Sequence, residues 1–547
     1  MEVPTLAVNS NWESVFNKQA KTKLEGVLPE FLRAQRWFGG KARTIRSIDL
    51  EDAVQLPHDS RAAYMTFARV HYGAGDPDTY ALPLTFVTGP EAEKIQAESP
   101  HEIVARLTTC SGEGILATPM RDRSFCNALL DAIGSRKSFK SASGGEIRGA
   151  PTGVFQRLAG PEASCLEPSL IRAEQSNSSI LYGDRLILKV FRRLDVGINP
   201  DLEVGAFLTD AGFAHIPPVG GALEYRRDKG EPITLGILQG FIRSEGDAWT
   251  FTLQALSRYY ERVAAHGGEL RAEVRGLWEL MGHDPHPEAR DLIGPYLEAA
   301  GLLGRRTAEL HLALASDREN PAFAPEPFSP VYQRALYQSM RNLTMQAFQL
   351  LGQRLQALPT DMQEEARKTL GLEAQVLDRF QSVLNRKITA LRTRVHGDYH
   401  LGQVLYTGSD FVIIDFEGEP ARPISERRIK RSPLRDVAGM LRSFHYAAYG
   451  ALMGRTAATV VRPEDFPAMD PWAHWWYATV SSVFLKAYLE VAEQAPFLPK
   501  GREELVALLD VYQLEKAVYE MAYELNNRPD WLRIPMRGIL GLLADPH

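Results

Sequence analysis

The chain has 547 residues, 44% hydrophobic and 24% charged, with 43 Gly and 34 Pro. That length allows two to four domains at roughly 100–200 residues each, and the composition excludes collagen, coiled-coil and mainly disordered architectures. Lys plus Arg is 62 and Asp plus Glu is 68, a formal net charge of -6, which argues against a general nucleic-acid binder.

No run reaches the roughly 18 apolar residues a membrane span needs. The first residues, MEVPTLAVNSNWESVF, lack the basic-then-apolar pattern of a secretory signal. Cys110, Cys126 and Cys165 are an odd count without a CxxC, which disfavours both a disulfide framework and a thiolate zinc site. A reducing, cytoplasmic compartment is the expectation.

In chain order, residues 1–150 are expected to form an N-terminal cap subdomain. Tyr80, Leu82, Leu84 and Phe86 alternate with their neighbours at strand period. Residues 121–133 read as a short helix. The Ser-, Gly-, Lys- and Arg-rich stretch 135–149 reads as a loop and a domain boundary. Residues 151–245 are expected to form a β-rich nucleotide-binding subdomain. Its hairpin, 179–182 and 185–191, turns at Gly183 and Asp184. A helix LEVGAFL follows Asn199 and Pro200, and a further strand covers 233–238. Residues 246–547 are expected to be a mainly helical C-terminal lobe, because Leu253, Leu256, Tyr260 and Val263, then Leu303, Thr307, Leu310 and Leu314, recur at helical spacing. A β-like island at 395–416 interrupts it. The fold class is α+β, a two-lobed protein-kinase-like fold.

The chemistry concentrates in VHGDYHLGQVLYTGSDFVIIDFEGEP, residues 395–420. Two apolar runs flank the turn 407–410, so a hairpin brings Gln403 and Asp415 to one end, near Asp398. Mg²⁺ prefers such oxygen donors, so Gln403 and Asp415 are expected to hold it and Asp398 to accept a proton from the attacking hydroxyl. The spacing matches the protein-kinase pattern of base Asp, metal-binding amide and DFG Asp, with Gln in place of Asn. A kinase also needs a strand lysine for the ATP phosphates, paired by a helix carboxylate. Lys189 in RLILKVF and Glu203 on the following helix fill these places in order. Ser176 and Ser178 occupy the loop where kinases carry glycines, able to face a phosphate with backbone N–H groups and hydroxyls. Gln239 and Phe241 fall where an adenine edge would bind. His311 reads as a satisfied interior histidine. Asp436 reads as a helix cap or a brace on the catalytic loop, and SERRIKR, 425–431, as a solvated basic segment.

Together HGDYHLGQVL, IDFEGEPARPISERR and SPLRDVAGMLRSFHYAA resemble the signature blocks of bacterial maltokinases. QRWFGGKAR at 35–43 is similar to the cap of that family, and LILKVFRRL and GRRTAELHLAL match as well. The resemblance spans about residues 31–450 and implies the aminoglycoside-phosphotransferase-like branch of the kinase fold. It implies ATP- and Mg²⁺-dependent phosphorylation of maltose at its anomeric hydroxyl, feeding α-glucan (glycogen) synthesis from trehalose, with trehalose synthase as the familiar partner. His400, Glu417, Arg435 and Arg442 are the candidate acceptor contacts. Phosphorylation of glucosamine, or a non-catalytic role beside trehalose synthase, are the alternatives, and the oligomeric state is left open.

Overall fold

The computed structural model describes residues 3–58, 61–161, 165–171, 177–227, 230–266, 275–385, 387–420, 422–456 and 461–544. It divides into two compact units. One comprises Met1–Asp210 and Pro217–Arg243, the other Ala211–Ile216 and Ser244–His547.

The first unit holds two seven-stranded sheets. The first is built on the long hairpin Ile45–His58 and Arg61–Tyr72, extended by Asp78–Val87, Gly112–Ala117 and Ile103–Thr109. The expected strand at Tyr80–Phe86 is present, but its alternation is not a one-sided burial. Ala81 is as buried as Tyr80 and Leu82, because apolar clusters cover both faces of the sheet. On one face Leu24, Leu28 and Leu32 of the helix Lys18–Ala34 join Ile48, Leu50 and Val70. On the other, Phe125, Leu129 and Ile133 of the helix Arg123–Gly134 join Val54, Met65 and Phe67.

That second cluster also contains Tyr182, Leu188, Val219 and Leu223, so the cap and the second sheet share one core. The second sheet runs Ser138–Lys140, Gly145–Pro151, Val219–Arg227, Ile233–Gly240, Leu186–Phe191, Asn177–Tyr182, Pro168–Leu170. The stretch 135–149, expected as a loop and boundary, therefore supplies two paired strands. Its polar composition fits a strand at the margin of the sheet, where one side faces water.

The second unit is mainly helical. Leu434–Leu452 is buried along nearly its whole length, the mark of a helix surrounded by others. Tyr296–Leu314, Phe466–Ala492 and Arg502–Asn527 accompany it. A three-stranded sheet of Gly246–Asp247, Val404–Tyr406 and Phe411–Ile413 lies among them. Within SERRIKR, Ser425, Glu426 and Ile429 are exposed as expected and Lys430 is the buried exception. It is 6% exposed, and its ammonium donates to Pro321 O, Ala324 O and the Glu326 carboxylate. Three acceptors replace the water a buried ammonium loses. Among the described residues no helix is long and apolar enough to cross a membrane.

Candidate active site

The loop carrying Asp398 is held from below by one buried carboxylate. Asp436, inside the helix Leu434–Leu452, accepts the backbone N–H of His396 at 2.7 Å and of Gly397 at 3.0 Å. Its Oδ2 also lies 3.2 Å from His311 Nε2, whose Nδ1 is 2.9 Å from the Tyr488 hydroxyl. Burial alone would raise the Asp436 pKa, but the His311 hydrogen bond and the nearby imidazoles lower it below the usual carboxylate range. Asp436 is thus the brace that the sequence suggested, not a cap, and His311 is a satisfied interior histidine. Gly397 has φ +87, a conformation that suits glycine and lets the chain turn above Asp436.

Asp398 Oδ1 lies 3.4 Å from Lys516 Nζ. Burial works against the Lys516 charge, and Asp398, Glu520 and Glu419 outweigh it, so its pKa rises. A cavity of about 30 Å³ opens at Asp398 between Glu419, Arg422, Arg435, Glu515, Lys516 and Tyr519. That volume accommodates a water or one hydroxyl, not a sugar ring. Tyr519 stacks at 6.4 Å on Tyr523, which is 45% exposed, and Lys516 and Arg528 lie over the two rings at 5.1 and 5.7 Å.

The hairpin forms as expected, with Val404 opposite Ile413 and Tyr406 opposite Phe411. Gln403 Nε2 donates to Asp415 Oδ2 at 2.9 Å, and His396 Nε2 reaches Ile414 O at 2.9 Å, tying the hairpin to the Asp398 loop. Asp415 has φ +67. Such backbone costs of order 1–3 kcal/mol for a non-glycine residue and recurs at functional sites. Carboxylate oxygens of Asp415 and Glu417 lie within 4.8 Å of each other. With Gln403, whose amide meets Asp415 through Nε2, they supply the kind of oxygen donors that would suit Mg²⁺. Glu417, expected among the acceptor contacts, stands with the metal candidates.

In the first unit, Lys189 pairs in register with Ser179 and Ile237, while Gln239 pairs with Ile187. Opposed residues share a face, so Lys189 and Gln239 project from the same side of the sheet. Lys189 Nζ lies 3.4 Å from Asp201 Oδ2. Asp201 is thus an acidic partner of Lys189 that the sequence reading, which chose Glu203, did not name. Both sit in the first turn of Pro200–Asp210. Asp201 is the one turned inward, at 1% exposure, with its N–H held by Asn199 Oδ1 at 2.8 Å. Ser178 Oγ accepts from the buried Arg192 Nε at 2.9 Å, which gives this hydroxyl an internal role. Ser176 lies outside the described residues. Phe241 donates its N–H to Arg185 O at 2.8 Å, at the end of Ile233–Gly240.

Of the acceptor candidates, Arg435 lines the Asp398 cavity and meets Glu515 at 3.2 Å. His400 accepts the Gly402 N–H at 3.0 Å, and burial lowers its pKa. Arg442 bonds Glu520 through Nε at 2.9 Å and lines a different cavity. Sequence reasoning missed Asp201, Glu419, Glu515, Lys516 and Tyr519. Lys516, Tyr519 and Tyr523 do share one helical face by their spacing of three and four. Nothing in that spacing ties the face to Asp398, 118 residues earlier.

Residues 31–114 match the family described as the maltokinase N-terminal cap domain. A glucosamine kinase of Mycolicibacterium smegmatis is 25% identical over 378 residues, covering 69% of this chain and 79% of that protein. A glucosamine kinase of Streptacidiphilus jiangxiensis is 23% identical over 379 residues, covering 69% and 73%. Among solved structures, a glucosamine kinase in complex with glucosamine, ADP and inorganic phosphate aligns with a TM-score of 0.61 and 20% identity, over 98% of this chain and 100% of that one. That likeness establishes the fold, α+β and kinase-like.

Proposed function

We propose that this chain, a sugar kinase of the maltokinase-like group by its cap and its fold, transfers the γ-phosphoryl group of ATP to the anomeric hydroxyl of maltose. In this reading Asp398 accepts the hydroxyl proton. Asp415 and Gln403, with Glu417, hold Mg²⁺, which neutralises charge on the phosphates. Lys189 binds the phosphates, kept in place by Asp201.

The observation that carries the choice of maltose is the charge around Asp398. An amino sugar brings an ammonium and calls for surplus carboxylate. Here Glu419 is bonded by Arg422, Glu515 by Arg435, and Asp398 faces Lys516. These three acids each face a cation, the fourth acid of the cavity, Asp436, is held by two backbone N–H groups and His311, and the aromatic pair Tyr519 and Tyr523 stands beside them. A neutral disaccharide suits that surface. The maltokinase-type cap supports the same choice. Trehalose synthase is proposed as the functional partner, and the product as a precursor of α-glucan.

The second reading is glucosamine as acceptor, favoured by the names of the two relatives. A coupled ADP-release assay across maltose, glucose, glucosamine, trehalose and no acceptor separates the two. We expect maltose to give the fastest release and trehalose none, since it has no free anomeric hydroxyl. Faster release with glucosamine than with maltose would replace the first reading by the second.

A further inference from the structure

We infer that Arg306, in the helix Tyr296–Leu314, is a positioning residue for the hairpin of the site: it clamps the turn at one end so that Gln403 and Asp415 keep their places at the other. The metal half of this inference rests on Gln403 and Asp415 being the metal ligands; the clamp itself does not.

The hairpin is short, three residues to a strand, and a two-stranded hairpin is marginal by itself. Val404–Tyr406 has Gly246–Asp247 on its outer edge, and Phe251 stacks on Tyr406 at 4.0 Å. Among the described residues no strand flanks the outer edge of Phe411–Ile413. There the Ile413 N–H donates to His215 O at 2.8 Å.

Arg306 acts at the turn. Its Nε donates to Asp410 Oδ1 at 2.9 Å and its Nη2 to Asp410 Oδ2 at 2.7 Å. Its Nη1 donates to both Glu309 oxygens, at 2.9 and 3.1 Å. A two-pronged arginine–carboxylate pair fixes direction as well as distance. The two side chains are only 20% and 31% exposed, which with this geometry sets the pair apart from surface ion pairs that contribute little. Burial pushes the Asp410 pKa up, but the Arg306 and Phe411 N–H hydrogen bonds bring it below the usual carboxylate range. The His215 ring stands 3.9 Å from Asp410 Oδ2, too far to replace either bond. Asp410 in turn holds both strands: Oδ1 accepts the Phe411 N–H at 2.7 Å, and its carbonyl accepts the Thr407 N–H at 2.9 Å.

Asp415 lies five residues beyond Asp410, roughly 16 Å at the rise of a strand. Its φ of +67 persists only where the surroundings over-determine it. At that end His396 holds Ile414 O at 2.9 Å. This single bond at one end and the two-pronged tie at the other together set the direction of the hairpin. Without Arg306 the hairpin is directed from one end only, and Gln403 and Asp415 lose their fixed place.

The test compares Arg306→Met, Arg306→Lys and Asp410→Asn with the parent in the full chain. Hydrogen–deuterium exchange without ligand reads the clamp. Peptides covering 404–415 should exchange about fivefold faster in Arg306→Met, with peptides covering 434–452 unchanged. Titration with Mn²⁺ in the presence of ADP, followed by electron paramagnetic resonance, reads the metal. Its dissociation constant should rise about tenfold in Arg306→Met and about threefold in Arg306→Lys, which keeps the charge but not the fork. Asp410→Asn should act in the same direction, and joining it to Arg306→Met should add nothing, because the two side chains act as one pair. Where Arg306→Met fails to fold, the other two variants carry both readouts. Asp415→Ala is the control: parent-like Mn²⁺ affinity there would withdraw the metal assignment, and exchange of 404–415 would still judge the clamp. The inference is overturned by unchanged exchange of 404–415 in the folded variants, by equal acceleration across 434–452, by additive effects in the double variant, or by parent-like Mn²⁺ affinity in Arg306→Met when Asp415→Ala has lost it.

Discussion

Gln403 Nε2 donates to Asp415 Oδ2 across 2.9 Å, although the two are twelve residues apart in the chain. The hairpin between them makes this contact, and it sets the relative weight of the two side chains. Asp415 carries the full charge that would meet a divalent cation; Gln403 offers one neutral oxygen and steadies the carboxylate. Asp415→Ala should therefore abolish Mg²⁺-supported phosphoryl transfer, while Gln403→Ala should lower it less, since water can replace an amide oxygen. Turnover as a function of Mg²⁺ concentration in both variants checks this order, and a greater loss in Gln403→Ala would reverse it.

Asp398→Asn should fold normally and bind nucleotide, but lose about 10²–10⁴-fold in turnover, the usual contribution of a positioned general base. Nucleotide affinity by calorimetry and single-turnover rates separate the two effects. A variant with near-normal turnover would remove Asp398 from the mechanism.

Asp201 and Glu203 can be told apart in the same way. Asp201→Ala leaves the largely buried Lys189 without the carboxylate 3.4 Å away, and should raise KM for ATP more than Glu203→Ala does. Equal effects would show that both carboxylates serve Lys189, and a larger effect of Glu203→Ala would favour the sequence-based choice.

Acid stability should report His445. Burial, then the Arg442 charge, holds its pKa well below the ordinary value, so the folded protein keeps it neutral. The unfolded chain binds a proton near pH 6.5. Stability linked to this residue is full above about pH 6.5 and is lost as pH falls further, because the unfolded state then binds more protons. Melting temperatures from pH 7.5 to 5 should fall less steeply in His445→Phe than in the parent. Parallel slopes would contradict the assignment.

Much of this site was legible in the sequence because its chemistry is local. The hairpin 404–413 and the polar residues at its end lie within one short segment, so turn residues and apolar runs were enough to place them. Lys189 was legible because a lysine within an apolar strand is conspicuous. Its contact with Asp201 was not, because Asp201 and Glu203 share one helical turn, and only packing decides which side chain turns inward. Lys516 and Tyr519 were not legible at all, since tertiary folding alone brings their helix to Asp398. The stretch 135–149 misled for a related reason, as its polar composition describes a loop and a marginal strand equally well. Asp436 was legible as a structural aspartate, but its two backbone N–H partners at His396 and Gly397 emerge only in three dimensions.

The central claim is transfer to the anomeric oxygen of maltose, and phosphorus NMR of the product tests it most directly. After incubation with ATP, Mg²⁺ and maltose, a single new resonance should couple to the anomeric proton, identifying a glycosyl 1-phosphate. Glucose, lacking the second ring, should give far less product, because a site that bonds substrate hydroxyls rejects analogues without them. A 6-phosphate, or product from glucosamine and none from maltose, would contradict the account.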